Sequence, residues 1–231
     1  MATPGSTPEK ADPSDEAIKM NVLGNLRWDG RVDASRIEAT VRDGKVTLTG
    51  RVPNYSSRAA AEKNAGMARG VVDVENHLEV QLETGPAEAS DADVADRANR
   101  VLQWDADLAN TDVRAQVQGG VLELEGSVDA HWKTTRARQL VGGIQGVAEV
   151  RDNLGVAPTR EVADEALAEE IADALERNVL VDEDRVRVQV ENGVASLSGE
   201  VASWAEASEI MDTASATPGI VDIRQRLEIK A

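Results

Sequence analysis

The chain has 231 residues and no cysteine, so disulfides and thiolate metal sites are excluded. Its formal net charge is −17 at pH 7, and a chain this acidic lacks the basic surface that general nucleic-acid binding requires. Aromatic residues make up only 2% and phenylalanine is absent. We therefore expect cores built from valine, leucine, isoleucine and alanine.

Residues 1–13 come first in the chain and predict a disordered tail, because prolines alternate there with small polar residues and no apolar face repeats. No apolar region follows a basic start, and no apolar run is long enough to span a bilayer. We therefore expect no transmembrane segment and a cytoplasmic location. The alternative is a periplasmic protein whose leader has been removed.

A short motif that occurs three times organises the rest of the chain. Apolar and polar residues alternate before a glycine, which is typical of a half-buried strand that ends at a glycine break. The motif occupies residues 46–52, 122–128 and 195–201, with its glycine at Gly50, Gly126 and Gly199. The spacing of 76 and then 73 residues predicts three units, namely unit 1 (14–83), unit 2 (90–157) and unit 3 (161–231).

The pattern within each unit predicts helix, strand, strand, helix and strand in that order. In unit 1 the inward positions are Ile18, Val22 and Leu26 for the first helix, Ile37, Ala39 and Val41 for the first strand, Ala61 and Ala65 for the second helix, and Val74, Leu78 and Val80 for the last strand. Asp43-Gly44 predicts a tight hairpin between the first two strands. The fold class is α+β, with two helices on one face of a three-stranded mixed sheet.

A second set of glycines lies 20 residues beyond the first set, at Gly70, Gly146 and Gly219. Glycine readily adopts the left-handed conformation that ends many helices, so we expect these residues to cap the second helix of each unit.

Acidic residues are concentrated toward the C-terminus. Residues 14–83 contain 10 basic and 11 acidic side chains, residues 90–157 contain 7 and 11, and residues 161–231 contain 6 and 17. Repulsion from an anionic lipid surface is therefore strongest for unit 3.

The three units resemble the BON domain, a small bacterial module of osmotic-stress envelope proteins that also occurs in tandem forms without a signal. The resemblance spans residues 14–230 and rests on the opening-helix leucines, the hairpin glycines, the Val-Thr-Leu-Thr-Gly-Arg-Val motif and the closing Gly-Val-Val-Asp-Val-Glu-Asn-His-Leu. The placement of Trp28, Trp104 and Trp204 is similar to that in three-copy members; unit 3 departs from it with Arg177. The resemblance implies a binding module without catalytic activity, usually assigned to phospholipid or envelope interaction.

Three aromatic residues are the candidate contacts with a lipid or a protein partner. Tyr55, Trp132 and Trp204 follow the motif glycines by five or six residues, in the loop that enters the second helix. Such amphipathic rings suit a headgroup layer or a partner surface, and the alternative is that each ring covers the end of its own small core. Trp28 and Trp104, at the end of the opening helix, are expected to pack against the protein.

Catalytic and metal sites are not expected. The two histidines, His77 in a closing strand and His131 in a loop, are not spaced to pair with a nucleophile. The acidic groups at residues 105–112 and 182–184 lack the glycine-centred loop of an EF-hand calcium site. We therefore expect no enzyme and no cofactor.

The function expected from these observations is non-enzymatic binding in envelope or osmotic-stress physiology, with a phospholipid surface or a protein as the partner. The alternative is a structural scaffold, in which sheet edges and polar faces mediate protein–protein contact or self-association into an oligomer.

Overall fold

The computed structural model describes residues 13–82, 90–158 and 162–230. The tail predicted for residues 1–13 lies outside these ranges except for Pro13, and so do most residues that connect the units. The described part contains three α-β-β-α-β units, which confirms the predicted fold class.

The helices and strands of the three units correspond one to one. In unit 1 they are α1 (Asp15–Trp28), β1 (Ile37–Arg42), β2 (Lys45–Val52), α2 (Tyr55–Gly66) and β3 (Asp73–Val80). In unit 2 they are α3 (Asp91–Trp104), β4 (Arg114–Gln118), β5 (Val121–Val128), α4 (His131–Gly142) and β6 (Glu149–Val156). In unit 3 they are α5 (Asp164–Glu176), β7 (Val186–Glu191), β8 (Val194–Val201), α6 (Trp204–Ala216) and β9 (Asp222–Ile229).

Each sheet is mixed, with the motif strand in the centre. In unit 1 the order is β1-β2-β3, where β1 pairs antiparallel with β2 and β3 pairs parallel with it. The register places Ile37 opposite Gly50 and Lys45 beside Asp73. Units 2 and 3 repeat this topology, and the parallel pairing requires the second helix of each unit as its crossover.

The hairpin between the first two strands is held by an aspartate from the opening helix. Asp15 accepts the backbone N–H groups of Asp43 and Gly44, each at 3.0 Å. Both turn residues have positive φ, as a type I′ turn requires. Asp91 and Asp164 repeat the contact in units 2 and 3, so the clamp is part of the repeated fold.

The motif strands run through their glycines, so the predicted strand break is wrong. At Gly126 φ is 117°, and a Cβ there would lie 2.6 Å from the carbonyl oxygen of Asp112. Glycine is required because the chain entering the first strand crosses directly over this point of the central strand.

The second set of glycines lies beyond the ends of the helices, so the predicted caps are also wrong. The helix α4 ends at Gly142, whereas Gly146 lies four residues later in the turn that leads to β6. A Cβ on Gly146 would lie 2.7 Å from Val94 of α3. Glycine there lets this turn pack against the opening helix.

Every unit has its own small core. The first-helix and second-helix positions predicted to face inward are all buried, as are the central-strand residues such as Leu48 and Leu124. A unit of this size buries a modest area and gains from neighbours, and the cores of units 1 and 2 each include a partly buried aromatic side chain from another unit.

Candidate functional site

The structure changes which residues correspond among the three aromatic candidates. Tyr55 and Trp204 are the first residues of α2 and α6, and the equivalent first residue of α4 is His131. Trp132 is one position further along α4. The prediction that His131 lies in a loop is therefore wrong, and its side chain is half-buried and not solvated.

Tyr55 joins unit 1 to unit 2. Its backbone N–H donates to the carbonyl of Val147 at 3.4 Å, and its ring packs against the core of unit 2. The ring lies over Gly142, the last residue of α4, where a Cβ would be 2.8 Å from the Tyr55 Cδ1 atom. We call this contact the 1–2 interface.

Trp204 joins unit 3 to unit 1 in the same way. Its backbone N–H donates to the carbonyl of Val71 at 3.2 Å, and its ring packs against the core of unit 1. The indole lies over Gly66, the last residue of α2. Lys63 of α2 and Asp212 of α6 form an ion pair at 3.6 Å across this 3–1 interface.

His131 joins unit 2 to unit 3 at the corresponding place. Its Nδ1 atom lies 3.0 Å from the hydroxyl oxygen of Ser215, which occupies the position of Gly66 and Gly142. We call this contact the 2–3 interface. Burial is the largest influence and lowers the pKa of His131; Asp222 opposes it, Arg138 lowers the pKa further, and Asp152 raises it slightly.

The three interfaces close the units into a ring. Each one places the first turn of a second helix against the end of the next second helix, in the sense 1 to 2, 2 to 3 and 3 to 1. Successive contacts of this head-to-tail kind form a ring when the rotation closes, and here three copies in one chain complete it. Positive helix N-termini also meet negative C-termini, which favours the arrangement.

The most exposed large apolar side chains lie at the end of the opening helices. Trp28 ends α1 with 91% of its surface exposed, and Trp104 ends α3 with 84% exposed. The expectation that these rings pack against the protein is wrong. Unit 3 has Arg177 at this position, but Val179 and Leu180 follow at 99% and 63% exposure.

The backbone behind each exposed tryptophan is fixed by a carboxylate. Asp29 accepts hydrogen bonds from Arg31 at 2.6 Å and from Asn64 of α2 at 2.7 Å. These bonds hold the pKa of Asp29 far below its usual range. The ring of Trp28 is therefore exposed to solvent, while the backbone that follows it is held by these hydrogen bonds.

The equivalent carboxylate in unit 2 makes a similar bond. Asp105 binds Arg136 of α4 at 2.7 Å, and this hydrogen bond is the main cause that lowers the pKa of Asp105. In unit 3 the equivalent pair is Asn178 and Glu209, joined at 2.9 Å. The link between the opening helix and the second helix is thus kept although the side chains change.

Trp132 is half-buried, and Lys133 Nζ lies 5.7 Å from the centre of its ring. That contact lies within cation–π range, and it leaves part of the indole open to solvent. The prediction that Tyr55, Trp132 and Trp204 contact a lipid or a partner stays a prediction; for Tyr55 and Trp204 the structure shows a contact with another unit.

The remaining polar candidates make structural contacts. His77 is exposed and lies 3.8 Å from Glu75 on the outer face of the sheet. Asp112 accepts the backbone N–H of Ser127 at 2.6 Å, and Asp182 pairs with Arg185 at 2.9 Å. Within the described ranges, no three histidine, aspartate or glutamate side chains are grouped to hold a metal ion.

Among the helices that the structure describes, none combines the length and the apolar character needed to cross a membrane.

The three units match a known family model. The BON domain model matches residues 14–81, 90–158 and 163–231. A curated relative, osmotically-inducible protein Y of Escherichia coli (strain K12), is 28% identical over 129 residues, which are 53% of this chain and 64% of that protein. The chain thus spans less than two thirds of the length of this relative.

Two solved structures give a weak likeness over most of the chain. The C-terminal domain of CdsD, the structural protein of the Type III secretion system of Chlamydia trachomatis, is 12% identical; the match covers 95% of this chain and 100% of that one, with a TM-score of 0.27. The periplasmic domain of the inner membrane protein PrgH from S. typhimurium is 13% identical, with 84% and 100% covered and a TM-score of 0.22. At these scores neither structure supports an argument about this chain.

Proposed function

Because this chain belongs to the BON domain family, with three copies in tandem, we propose that it is a non-enzymatic binding protein of the cell envelope or the osmotic-stress response that contacts a phospholipid surface. The observation that carries the proposal is the exposure of Trp28 and Trp104 at equivalent places in units 1 and 2. The relative induced by osmotic stress supports the physiological part.

The exposed indole rings of Trp28 and Trp104 have the chemical character of residues found at membrane interfaces. An indole combines a large apolar body with one N–H donor, and tryptophan is enriched where a membrane meets water. Trp28 and Trp104 are almost fully exposed, so neither ring contributes to a core of this protein. The described contacts of Asp29 and Asp105 anchor the chain beside both tryptophans, which lowers the backbone entropy lost on binding.

The ring of units makes the contact multivalent. Each unit of the ring contributes exposed apolar side chains at the end of its opening helix, namely Trp28, Trp104 and the Val179-Leu180 pair. Two or three weak insertions on one rigid body reinforce each other, because the later ones are intramolecular. A lipid surface is large enough to meet more than one of these sites at once.

The charge of the protein determines which lipids we expect it to bind. The net charge of −17 and the acidic unit 3 oppose an anionic bilayer. Binding to zwitterionic phosphatidylcholine vesicles is therefore expected to exceed binding to vesicles that contain phosphatidylglycerol, most clearly at low salt, where screening is weakest.

Vesicle flotation with phosphatidylcholine tests the proposal. We expect Trp28→Ser/Trp104→Ser to weaken binding by about tenfold or more, since a loss of ~1.4 kcal/mol is a factor of ten. The matched control is Met20→Ser/Met67→Ser, which removes exposed apolar side chains elsewhere and should bind as the wild type does. No flotation of the wild type, or equal loss in both variants, would exclude the proposed contact.

A structural scaffold is the second candidate, and the free sheet edges favour it. Among the described residues β1 and β3 are the outer strands of the first sheet, and each pairs only with β2. Free edges accept strands from other chains. Light scattering after size exclusion discriminates, because a stable oligomer without vesicle binding supports the scaffold.

For location we propose the periplasm, as part of the envelope role. The comparisons lend no support to the cytoplasmic expectation, and a protein of the osmotic-stress response that meets lipid surfaces fits this compartment. Fractionation of cells that express the native gene tests the proposal, with recovery in the osmotic-shock fraction expected and recovery with cytoplasmic markers as the contrary result.

A further inference from the structure

The 2–3 interface is built differently from the other two. The 1–2 and 3–1 interfaces each combine an aromatic ring over a glycine with a backbone hydrogen bond, from Tyr55 to Val147 and from Trp204 to Val71. At the 2–3 interface a smaller imidazole meets Ser215, and the described residues show no backbone hydrogen bond from His131 to unit 3. Its central contact is therefore a hydrogen bond between two side chains, in place of an aromatic ring over a glycine.

It is the one of these three interfaces whose central side chain is an ionisable imidazole, half-buried between units 2 and 3. The charged groups that face His131 are Asp222 of β9, Asp152 of β6 and Arg138 of α4. The two carboxylates favour the imidazolium form, while Arg138 and, above all, burial disfavour it. The net effect lowers the pKa of His131, so the closed interface favours the neutral ring.

We propose that the 2–3 interface is an acid-sensitive joint, at which protonation of His131 separates α4 from α6 and opens the ring while the 1–2 and 3–1 interfaces stay closed. Unit 3 keeps its fold because its core is formed from its own helices and sheet, and unit 2 keeps the Tyr55 ring because the 1–2 interface stays closed. This goes beyond the lipid contact proposed above and does not depend on it.

The sign of the pH dependence follows from linkage. When the joint is open, His131 has the ordinary pKa of about 6.5, and when it is closed the pKa is lower. The closed state binds fewer protons, so closure has its full strength above about pH 6.5. Below that value the closing equilibrium weakens by up to about tenfold per pH unit, until the pKa of the closed state is passed.

Distances between spin labels on the full chain test the proposal. The chain has no cysteine, so labels attach only where one is introduced. Gln103→Cys with Glu176→Cys places labels on units 2 and 3, and Arg27→Cys with Gln103→Cys places them on units 1 and 2, all at exposed positions. Between pH 8 and pH 5 we expect a long-distance population to grow in the first pair and not in the second.

Two variants distinguish an effect of His131 protonation from a general change in the structure of the interface. His131→Tyr/Ser215→Gly transplants the pairing of Tyr55 with Gly142, and His131→Gln keeps a hydrogen-bonding side chain that does not titrate. Both should stay closed at pH 5, and circular dichroism should show the same helix content as in the wild type. A wild-type distance that does not change with pH, or equal opening in the His131→Gln variant, would overturn the proposal.

Discussion

The indole of Trp204, the first residue of α6, lies directly on the backbone of Gly66, the last residue of α2. These residues are far apart in the chain, and their contact closes units 1, 2 and 3 into a ring. The aromatic ring fits because glycine leaves the space that any other side chain would fill.

Replacing Gly66 by alanine should therefore loosen the 3–1 interface. The helical backbone accepts alanine, but the added Cβ would overlap the indole, so Trp204 must move away. We expect tryptophan fluorescence to shift toward longer wavelength and the radius of gyration from small-angle scattering to increase. Gly24→Ala is the control, since a Cβ there has no neighbour within 4 Å and alanine favours the helix by about 0.5–1 kcal/mol. An unchanged radius in Gly66→Ala would contradict the ring.

Replacing Gly126 by alanine should destabilise unit 2. Its φ of 117° is costly for alanine, and the Cβ would clash with the carbonyl of Asp112. We expect a loss of at least about 2 kcal/mol in the free energy of unfolding, measured with urea. Gly155→Ala is the matched control on the neighbouring strand β6, because its nearest neighbour lies 3.8 Å away. Similar midpoints for the two variants would show that the crossing chain does not require glycine.

Removing the aspartate that clamps a hairpin should also cost stability. Asp91→Ala leaves the N–H groups of Gly119 and Gly120 without their carboxylate partner. Hydrogen bonds to a charged group contribute about 1.5–3 kcal/mol, and partial exposure places the loss near the lower value. Asp96→Ala removes the same charge from the exposed face of α3 and should change the unfolding free energy little. A null effect of Asp91→Ala would mean that the turn holds its shape without the clamp.

The stability contributed by Asp105 should depend on pH. Arg136 and nearby N–H groups lower the pKa of this carboxyl, so its contribution is complete above the ordinary value of about 3.9 and is lost as pH falls below it. Asp105→Asn should therefore unfold more easily than the wild type at pH 7, by about 1–3 kcal/mol, and this difference should shrink below pH 4. Asp107→Asn, two residues away, is the control. A difference independent of pH would contradict the role of the ionised group.

The sequence predicted the units because local patterns carry them. Apolar spacing placed Ile18, Val22 and Leu26 on one face of α1, and Asp43-Gly44 marked the first hairpin; these positions are confirmed. The role of the glycines was harder to predict. Gly126 breaks no strand and Gly146 caps no helix; both are glycines because distant backbone or side chains approach them.

The contacts between units could not be read from local patterns. Trp132 is the aromatic residue of unit 2 nearest to the position of Tyr55 in unit 1. The residue at the same distance from the motif glycine is His131. The signal was present in the spacing, but nothing local indicates that a residue will pack on another unit. Trp28 was expected to pack for a similar reason, since a helix pattern shows which face is apolar and not where the core ends.

Quenching of tryptophan fluorescence by brominated phosphatidylcholine vesicles tests the lipid contact most directly. Of the four tryptophans, Trp132→Phe/Trp204→Phe leaves only Trp28 and Trp104, and Trp28→Phe/Trp104→Phe leaves the other two. We predict strong quenching in the first variant and little in the second. Quenching confined to the second variant, or absent from both at saturating lipid, would contradict a membrane contact through the ends of α1 and α3.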